Sequence, residues 1–234
     1  MTRGLYAAAS GMVAQIARQD SHAHNLANTN TVGFRGTRTA ISRFADSLAA
    51  AAGLGSRAAG AVCTRAASLD TADGPLVSTG NPLDLALSGP ACFVVQTPTG
   101  VAYTADGRFR LDDQRRLVTQ RGDHLLGEAG PVTVPQGDVT INERGELFSQ
   151  GQRFDRLRLA EPVDPEPVGA GLYRASQARP AESTTVHQGM VEQSNVSAML
   201  EMGRMLSGFR LYEANATALR YQDQSLGTLQ KIVE

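Results

Sequence analysis

Tryptophan is absent from the 234 residues, lysine occurs once, at Lys231, and cysteine only twice, at Cys63 and Cys92. Two distant cysteines with no CxxC pair and no histidine beside them exclude a zinc-ligand set. Cys92, next to Phe93, Val94 and Val95, reads as a small core residue. Cys63 lies in an Ala/Arg/Ser segment with little to fix it, so a disulfide between the two is the unfavoured alternative. Charge is also sparse: 19% of residues are charged, against the usual ~25%, and 22 basic residues meet 23 acidic ones for a formal net charge of −1. Such a balance implies no polyelectrolyte partner. Arg153, Arg156 and Arg158 lack interleaved aromatics and read as a solvated face, so no nucleic-acid site is expected. No apolar run approaches the roughly 18 residues of a membrane span. The first turns carry Ser10, Gln15, Arg18 and Gln19 in place of a charged start and an apolar stretch. Neither an ordinary signal peptide nor direct membrane insertion is expected.

Motifs of chemistry are missing as well. There is no GxxxxGK[ST], HExxH or GxSxG, and the glycines sit at turns rather than leading from strand to helix. His22 and His24, two apart, fall on different faces of a helix; His124 and His187 are isolated. Asp112 and Asp113 are adjacent, which suits a turn better than paired acid and base work. Asn195 and Asn215 open glycosylation-like triplets, which without a secretory signal are chance matches. No catalytic residue, cofactor or metal ligand is expected.

What is there is pattern. Hydrophobic residues make up 41% of the chain, enough for a core of ordinary size. Leu5, Ala9, Met12, Ile16, Gln19, Ala23 and Leu26 alternate steps of four and three, a heptad seam interrupted only by Gln19. Met205, Tyr212, Leu219, Leu226 and Val233 recur every seven residues, flanked by Met202, Phe209 and Ala216, and predict a helix from about 196 to about 232. Both seams leave much of the circumference polar, so the two helices need further partners. Between them the period drops to two. Leu83, Leu85 and Leu87, Phe109 and Leu111, Val132 and Val134, Val139 and Ile141, and Leu157 and Leu159 mark strands separated by short glycine-containing turns. The fold class read from this is α+β: a terminal helical assembly domain of coiled-coil character (1–35 and 195–234), a linker (36–71) with a short helix near Ile41–Leu48, and a central antiparallel β domain (72–194). Pro162, Pro165 and Pro167 mark a loop inside the β domain.

The first helix ends in "HNLANTNTVGFRG", residues 24–36, where Asn25, Asn28, Asn30, Gly33 and Phe34 crowd together. Read from residue type alone, so polar a joint is either an active-site loop or a hinge.

The stretches "GLYAAASGM" (4–12), "NLANTNTVGFR" (25–35), "TGNPLDLALSG" (79–89), "FVVQTPTGVAYTADGRF" (93–109), "LVTQRGDHLLGEAGPV" (117–132) and "SNVSAMLEM" through "FRLYEANA" (194–216) together resemble the bacterial flagellar basal-body rod and hook proteins. Most specific is the N-terminal helix running into Asn25, Asn28, Thr31, Gly33, Phe34 and Arg35, with Tyr212, Glu213 and Asn215 near the other end. Within the family, the short chain and "RLRLAEPVDPEPVGAGLYRA" (156–175) look most like the proximal rod branch, with the distal rod a near neighbour. Two turns depart from the pattern: Gly89-Pro90-Ala91-Cys92-Phe93 stands where Gly-Asp-Gly-Phe-Phe is usual, and Arg115 where a glycine is usual, which implies a different or a strained backbone there.

The resemblance implies a structural subunit, not an enzyme. It would be exported through the flagellar type III export apparatus with its N-terminus uncleaved, and would stack with copies of itself and other axial rod proteins in the periplasmic part of the basal body. Its assembly interface would be Leu5, Met12, Ile16 and Leu26 with Met202, Met205, Phe209, Tyr212, Leu219 and Leu226. Asn25 to Gly36 would be the hinge directing the chain toward the β domain, with Asn28 or Asn30 left-handed and Gly33 free to turn. The ends would order only on assembly. Three other readings remain: a distal rod or hook-type subunit, a secreted β-domain binding protein or enzyme with helical arms, and a coiled-coil adaptor.

Overall fold

The computed structural model describes residues 2–43, 62–181 and 183–233, with side chains described from 9 to 39, from 68 to 181, from 183 to 221 and at 224. In chain order two helices, α1 (Thr2–Ala27) and α2 (Ala198–Val233), come before and after a β-rich middle, as expected of an α+β chain. No helix of the described residues is long and apolar enough to cross a membrane. The chain divides into two compact units: one takes 1–27, 37–68 and 197–234, the other 28–36 and 69–196.

The first unit contains α1, α2 and a two-stranded ribbon of β1 (Thr37–Arg43) and β2 (Val62–Leu69). The span read as a linker therefore holds paired strands. Ile41 to Arg43 are extended rather than helical, and the rest of that expected short helix lies outside the described residues. The reason is compositional: the strands "TRTAISR" and "VCTRAASL" carry small and polar residues with almost no large apolar alternation, so the period-two signal is silent.

The second unit opens with β3 (Leu76–Ser78), β4 (Leu85–Ser88), β5 (Cys92–Thr97), β6 (Gly100–Thr104), β7 (Phe109–Leu111), β8 (Leu117–Thr119) and β9 (His124–Leu125). It continues with β10 (Val139–Ile141), β11 (Glu146–Ser149), β12 (Gln152–Arg156), β13 (Leu159–Val163), β14 (Glu166–Gly169), β15 (Leu172–Arg174), β16 (Gln177–Pro180), β17 (Thr185–Gln188) and β18 (Met190–Glu192). The largest sheet runs β14-β15-β6-β5-β9-β8-β7, with β13 joining both β5 and β16. Smaller antiparallel pairings are β10-β11-β12, β17-β4 and β18-β3. The proline loop proves to be strand and turn, since Pro162 pairs with Ala178 in β13 and Pro167 with Tyr173 in β14.

Leu85, Leu87, Phe93, Val95, Phe109, Leu117, Leu125, Ile141 and Leu147 form one core. Phe93 and Phe109 meet edge to face with ring centroids 5.1 Å apart, the arrangement that aromatic quadrupoles favour. Val132 and Val134 are buried in the same core as expected, yet they lie outside any named strand. Isolated bridges at Pro131 and Thr133 hold that segment together with single backbone bonds from Val132 N to the Leu125 carbonyl and from Val134 N to the Arg115 carbonyl.

Two hairpin turns share one design. In each, the first residue's side chain accepts from backbone N–H groups two and four positions on: Asp112 from Gln114 and Arg116, Asn142 from Arg144 and Glu146. In each, the fourth residue is left-handed: Gly145 at φ 75° and Arg115 at φ 59°. Arg115 thus keeps the glycine geometry. Its guanidinium donates to the carbonyls of Val134 (3.0 Å) and Pro135 (2.7 Å), bonds that offset the cost of a side chain in that region.

Candidate assembly surface and joint

α1 and α2 lie antiparallel, as the pairings along them show. Gly11 faces Asn215, Gln15 sits against Gly208, Gln19 Nε2 donates to the Met205 carbonyl (2.9 Å), and His22 Nδ1 meets Glu201 Oε2 (2.5 Å). A Cβ at Gly208 would meet the Gln15 amide, the far end of a flexible side chain that would have to move aside. Glu201, 3% exposed, also takes a hydrogen bond from Arg204 (2.6 Å). The two helices thus pair along their length within one chain. Small and polar residues do the pairing, which is why an apolar periodicity did not reveal it.

The large apolar residues face outward. Met199 is 85% exposed, Leu206 65% and Phe209 56%, with Val13, Ile16, Leu200, Met202, Leu211 and Tyr221 also exposed. Of the expected seam, Ile16, Met202 and Phe209 belong to this outward set, while Met12, Leu26, Met205, Tyr212 and Leu219 are half-buried. The side chains of Leu5 and Leu226 lie outside the described ones. The heptads therefore split. On α1, Ala9, Ile16 and Ala23 are exposed, and Met12, Gln19 and Leu26 turn partly inward. Sequence reading missed Val13, Leu200, Leu206 and Leu211, one or two positions off the seam, and Met199, before its first named residue, because a stripe of period 3.5 names one face and α2 is apolar on several.

Asn25 is buried and fastens the end of α1 to the start of β1. Its Nδ2 donates to the Thr37 carbonyl (2.8 Å), and its Oδ1 accepts from the Thr37 amide (2.9 Å). The joint proper, 28–36, belongs to the β unit. Thr31 closes a turn on Asn28, amide to carbonyl at 3.1 Å and hydroxyl to side chain at 3.1 Å. Neither Asn28 nor Asn30 adopts positive φ; the left-handed step falls to Gly33 alone, at φ 66°. The Asn28–Thr31 turn ends the helix without it. A Cβ on Gly33 would also strike the backbone of Ala105 and Asp106.

Beyond Gly33 the segment is tied down. Gly33 N donates to the Glu192 carbonyl (2.7 Å), Asn195 N to the Phe34 carbonyl (3.3 Å), Gly36 N to Asn195 Oδ1 (2.8 Å) and Asp70 N to the Gly36 carbonyl (2.7 Å). Phe34 is buried, and Arg35 is 2% exposed. The Arg35 Nη2 stands 3.6 Å from Asp73 Oδ1 and 3.7 Å from Glu192 Oε2, and Glu192 Oε1 accepts from Gly74 N at 2.9 Å. Glu192 is 1% exposed. Burial pushes its carboxyl above the usual range, while the Arg35 cation and the Gly74 N–H pull the other way. Cys92 is a free, buried thiol beside this cluster, and burial pushes it up to about 11. Arg35 was visible in the sequence as part of the motif; nothing local marked Glu192, Asp73 or Gly74 as its companions.

No group of three metal-ligating side chains occurs among the described residues. Residues 5–35 match the family described as flagella basal body rod protein, 86–149 the flagellar hook protein FlgE/F/G D1 domain, and 187–232 the flagellar basal body rod FlgEFG protein C-terminal domain. The chain is 33% identical to the flagellar basal-body rod protein FlgF of Mesorhizobium japonicum, over 98% of each chain. It is also 33% identical to FlgF of Caulobacter vibrioides, over 92% of this chain and 91% of that one. With the rod protein FlgG of Borreliella burgdorferi it shares 30% identity over 97% of each.

Proposed function

Because the chain belongs to the bacterial flagellar basal-body rod protein family, we propose that it is a non-enzymatic structural subunit of the rod, assembling through α1 and α2. The carrying observation is the inversion on those helices: they hold each other by Gln15, Gln19, His22, Glu201 and Gly208 and turn Ile16, Met202, Leu206 and Phe209 outward. Each large side chain buried against a neighbour contributes about 1.5–3 kcal/mol, so neighbours on several sides give a tube what one chain does not retain for itself.

In this reading the seam residues Leu5, Met12, Leu26, Met205, Tyr212, Leu219 and Leu226 complete a coiled-coil-like layer with Ile16, Met202 and Phe209. The partners are further copies and other axial rod proteins. The likeness to FlgF over the whole chain favours the proximal rod. The family's route, export by the type III apparatus without signal cleavage, delivers the chain to the periplasmic basal body. Asn25, Asn28, Asn30, Gly33 and Phe34 act as a fastened corner that sets the chain's exit direction, with Gly33 its turning point.

Phe209→Asp tests the interface. A carboxylate placed in an apolar contact is expected to abolish incorporation into purified basal bodies while solubility and β content stay normal. Arg210→Asp, one position round the helix, is the milder control. Wild-type occupancy by the Phe209 variant overturns the assignment.

A further inference from the structure

A groove of about 840 Å³ runs between α1 and α2, lined by Gln15, Arg18 and His22 on one side and Leu200, Gly203, Arg204, Ser207 and Leu211 among those on the other. Its α2 wall is a single face, spaced i, i+3, i+7 and i+11, with open space above Gly203. Apolar ends at Leu200 and Leu211 bracket a floor of Gly203 and Ser207 low enough for another helix to approach closely. The Gln15 side chain, 4% exposed, lines the groove with no hydrogen-bond partner among the described residues. The lining carries Arg18, His22 and Arg204; Glu201 beneath already pairs with the last two, which leaves Arg18 as the lining cation for an incoming carboxylate.

The opposite face of α1 has the complementary character. Ala9, Val13, Ile16, Asp20, Ala23 and Ala27 are all exposed and follow steps of four, three, four, three and four. This stripe is small and apolar except for Asp20. Neither Asp20 nor Arg18 has an ionic or hydrogen-bond partner among the described residues. They stand two positions apart, about 200° around the helix, so one chain never brings them together.

We propose that the groove receives the outward α1 stripe of a second copy, with the incoming Asp20 carboxylate meeting Arg18 beside Arg204. This rests on the rod reading above and adds the partner segment and its polarity. The two complementary faces lie on different sides of one helix, so the contact is heterologous. It propagates from copy to copy and does not close a two-fold dimer.

The test replaces the wild-type chain in cells and measures occupancy in purified basal bodies. Asp20→Arg and Arg18→Asp are each expected to lower occupancy roughly tenfold or more, as misplacing one partner of an interfacial charge pair does. The double variant D20R/R18D is expected to restore most of it, since every contact between copies regains one opposite pair. Single variants at wild-type occupancy, or a double variant no better than the singles, overturn the pairing. Independently, Ile16→Cys with Leu211→Cys in one chain, which copies of like polarity would bring together, is expected to give an oxidised ladder of dimers, trimers and longer chains in assembled basal bodies, absent from the I16C and L211C single variants. A product stopping at the dimer refutes the heterologous geometry, and no cross-link refutes the contact. Absence of the wild-type chain itself from basal bodies refutes the rod reading instead.

Discussion

Replacing Arg35 by methionine keeps most of the side-chain volume and removes the cation, leaving Glu192, 1% exposed, without its counter-charge. Removing one partner of a buried pair costs about 3–5 kcal/mol. The low end applies here, because Nη2 is 3.6 and 3.7 Å from its two carboxylates, beyond hydrogen-bond distance. A loss near 3 kcal/mol is therefore expected. The double variant R35M/E192Q removes both charges and keeps an oxygen for the Gly74 amide; it should recover roughly 2 kcal/mol of that loss. Burial already raises the Glu192 carboxyl and Arg35 holds it down, so Arg35→Met raises it further. A carboxyl that binds its proton more tightly folded than unfolded makes stability fall as pH rises from the ordinary carboxylate range through the raised value. The deficit of Arg35→Met should accordingly be small in acid and grow toward neutral pH. Urea unfolding of the full chain, followed by tyrosine fluorescence because tryptophan is absent, measures it. A deficit independent of pH, or a double variant as unstable as the single, refutes the reasoning.

Two further outcomes concern backbone. Arg115→Ala keeps the left-handed residue and loses both guanidinium bonds, so it should lower the β-unit stability by about 1–2 kcal/mol, whereas Arg115→Gly removes the strain with the bonds and should stay near wild type. Equal stability of the alanine variant and wild type in urea titrations refutes that account. Gly33→Ala meets both a positive φ and the Ala105–Asp106 backbone, so it should lower the β unit's melting temperature clearly, while exposed Asn30→Ala should leave it unchanged; the reverse order refutes the assignment of the turn to Gly33.

How far residues alone reached depended on whether a neighbour in sequence carried the signal. The helices were legible because heptads repeat within them, and the strands at Phe109–Leu111 and Val139–Ile141 were marked because large apolar side chains alternate there. The β1–β2 ribbon was not, since Ala, Ser and Thr at strand positions resemble a linker. At the joint, Asn25, Gly33 and Arg35 stood out by type, but Arg35's companions lie 38 or more positions away in Asp73 and Glu192 (73 − 35 = 38). Long-range pairing of single charges leaves no period to detect. The α1–α2 contact was hidden for a related reason: Gln19 looks like an interruption of the apolar seam and Gln15 and Gly208 lie off it, yet these residues make the contact.

The crossing of 28–36, 69–75 and 192–196 has a mechanical consequence. These three segments are cross-bonded side by side: Gly33 to Glu192, Phe34 to Asn195, Gly36 to both Asn195 and Asp70, and Gln193 to Pro75. Tension between residue 28 and residue 196 therefore takes a short path through this knot and bypasses the long meander of strands between them. The bonds are loaded together in shear, so they yield as a group and do not unzip one after another. The sheet core of Phe93, Phe109 and Leu147 is left out of that load path.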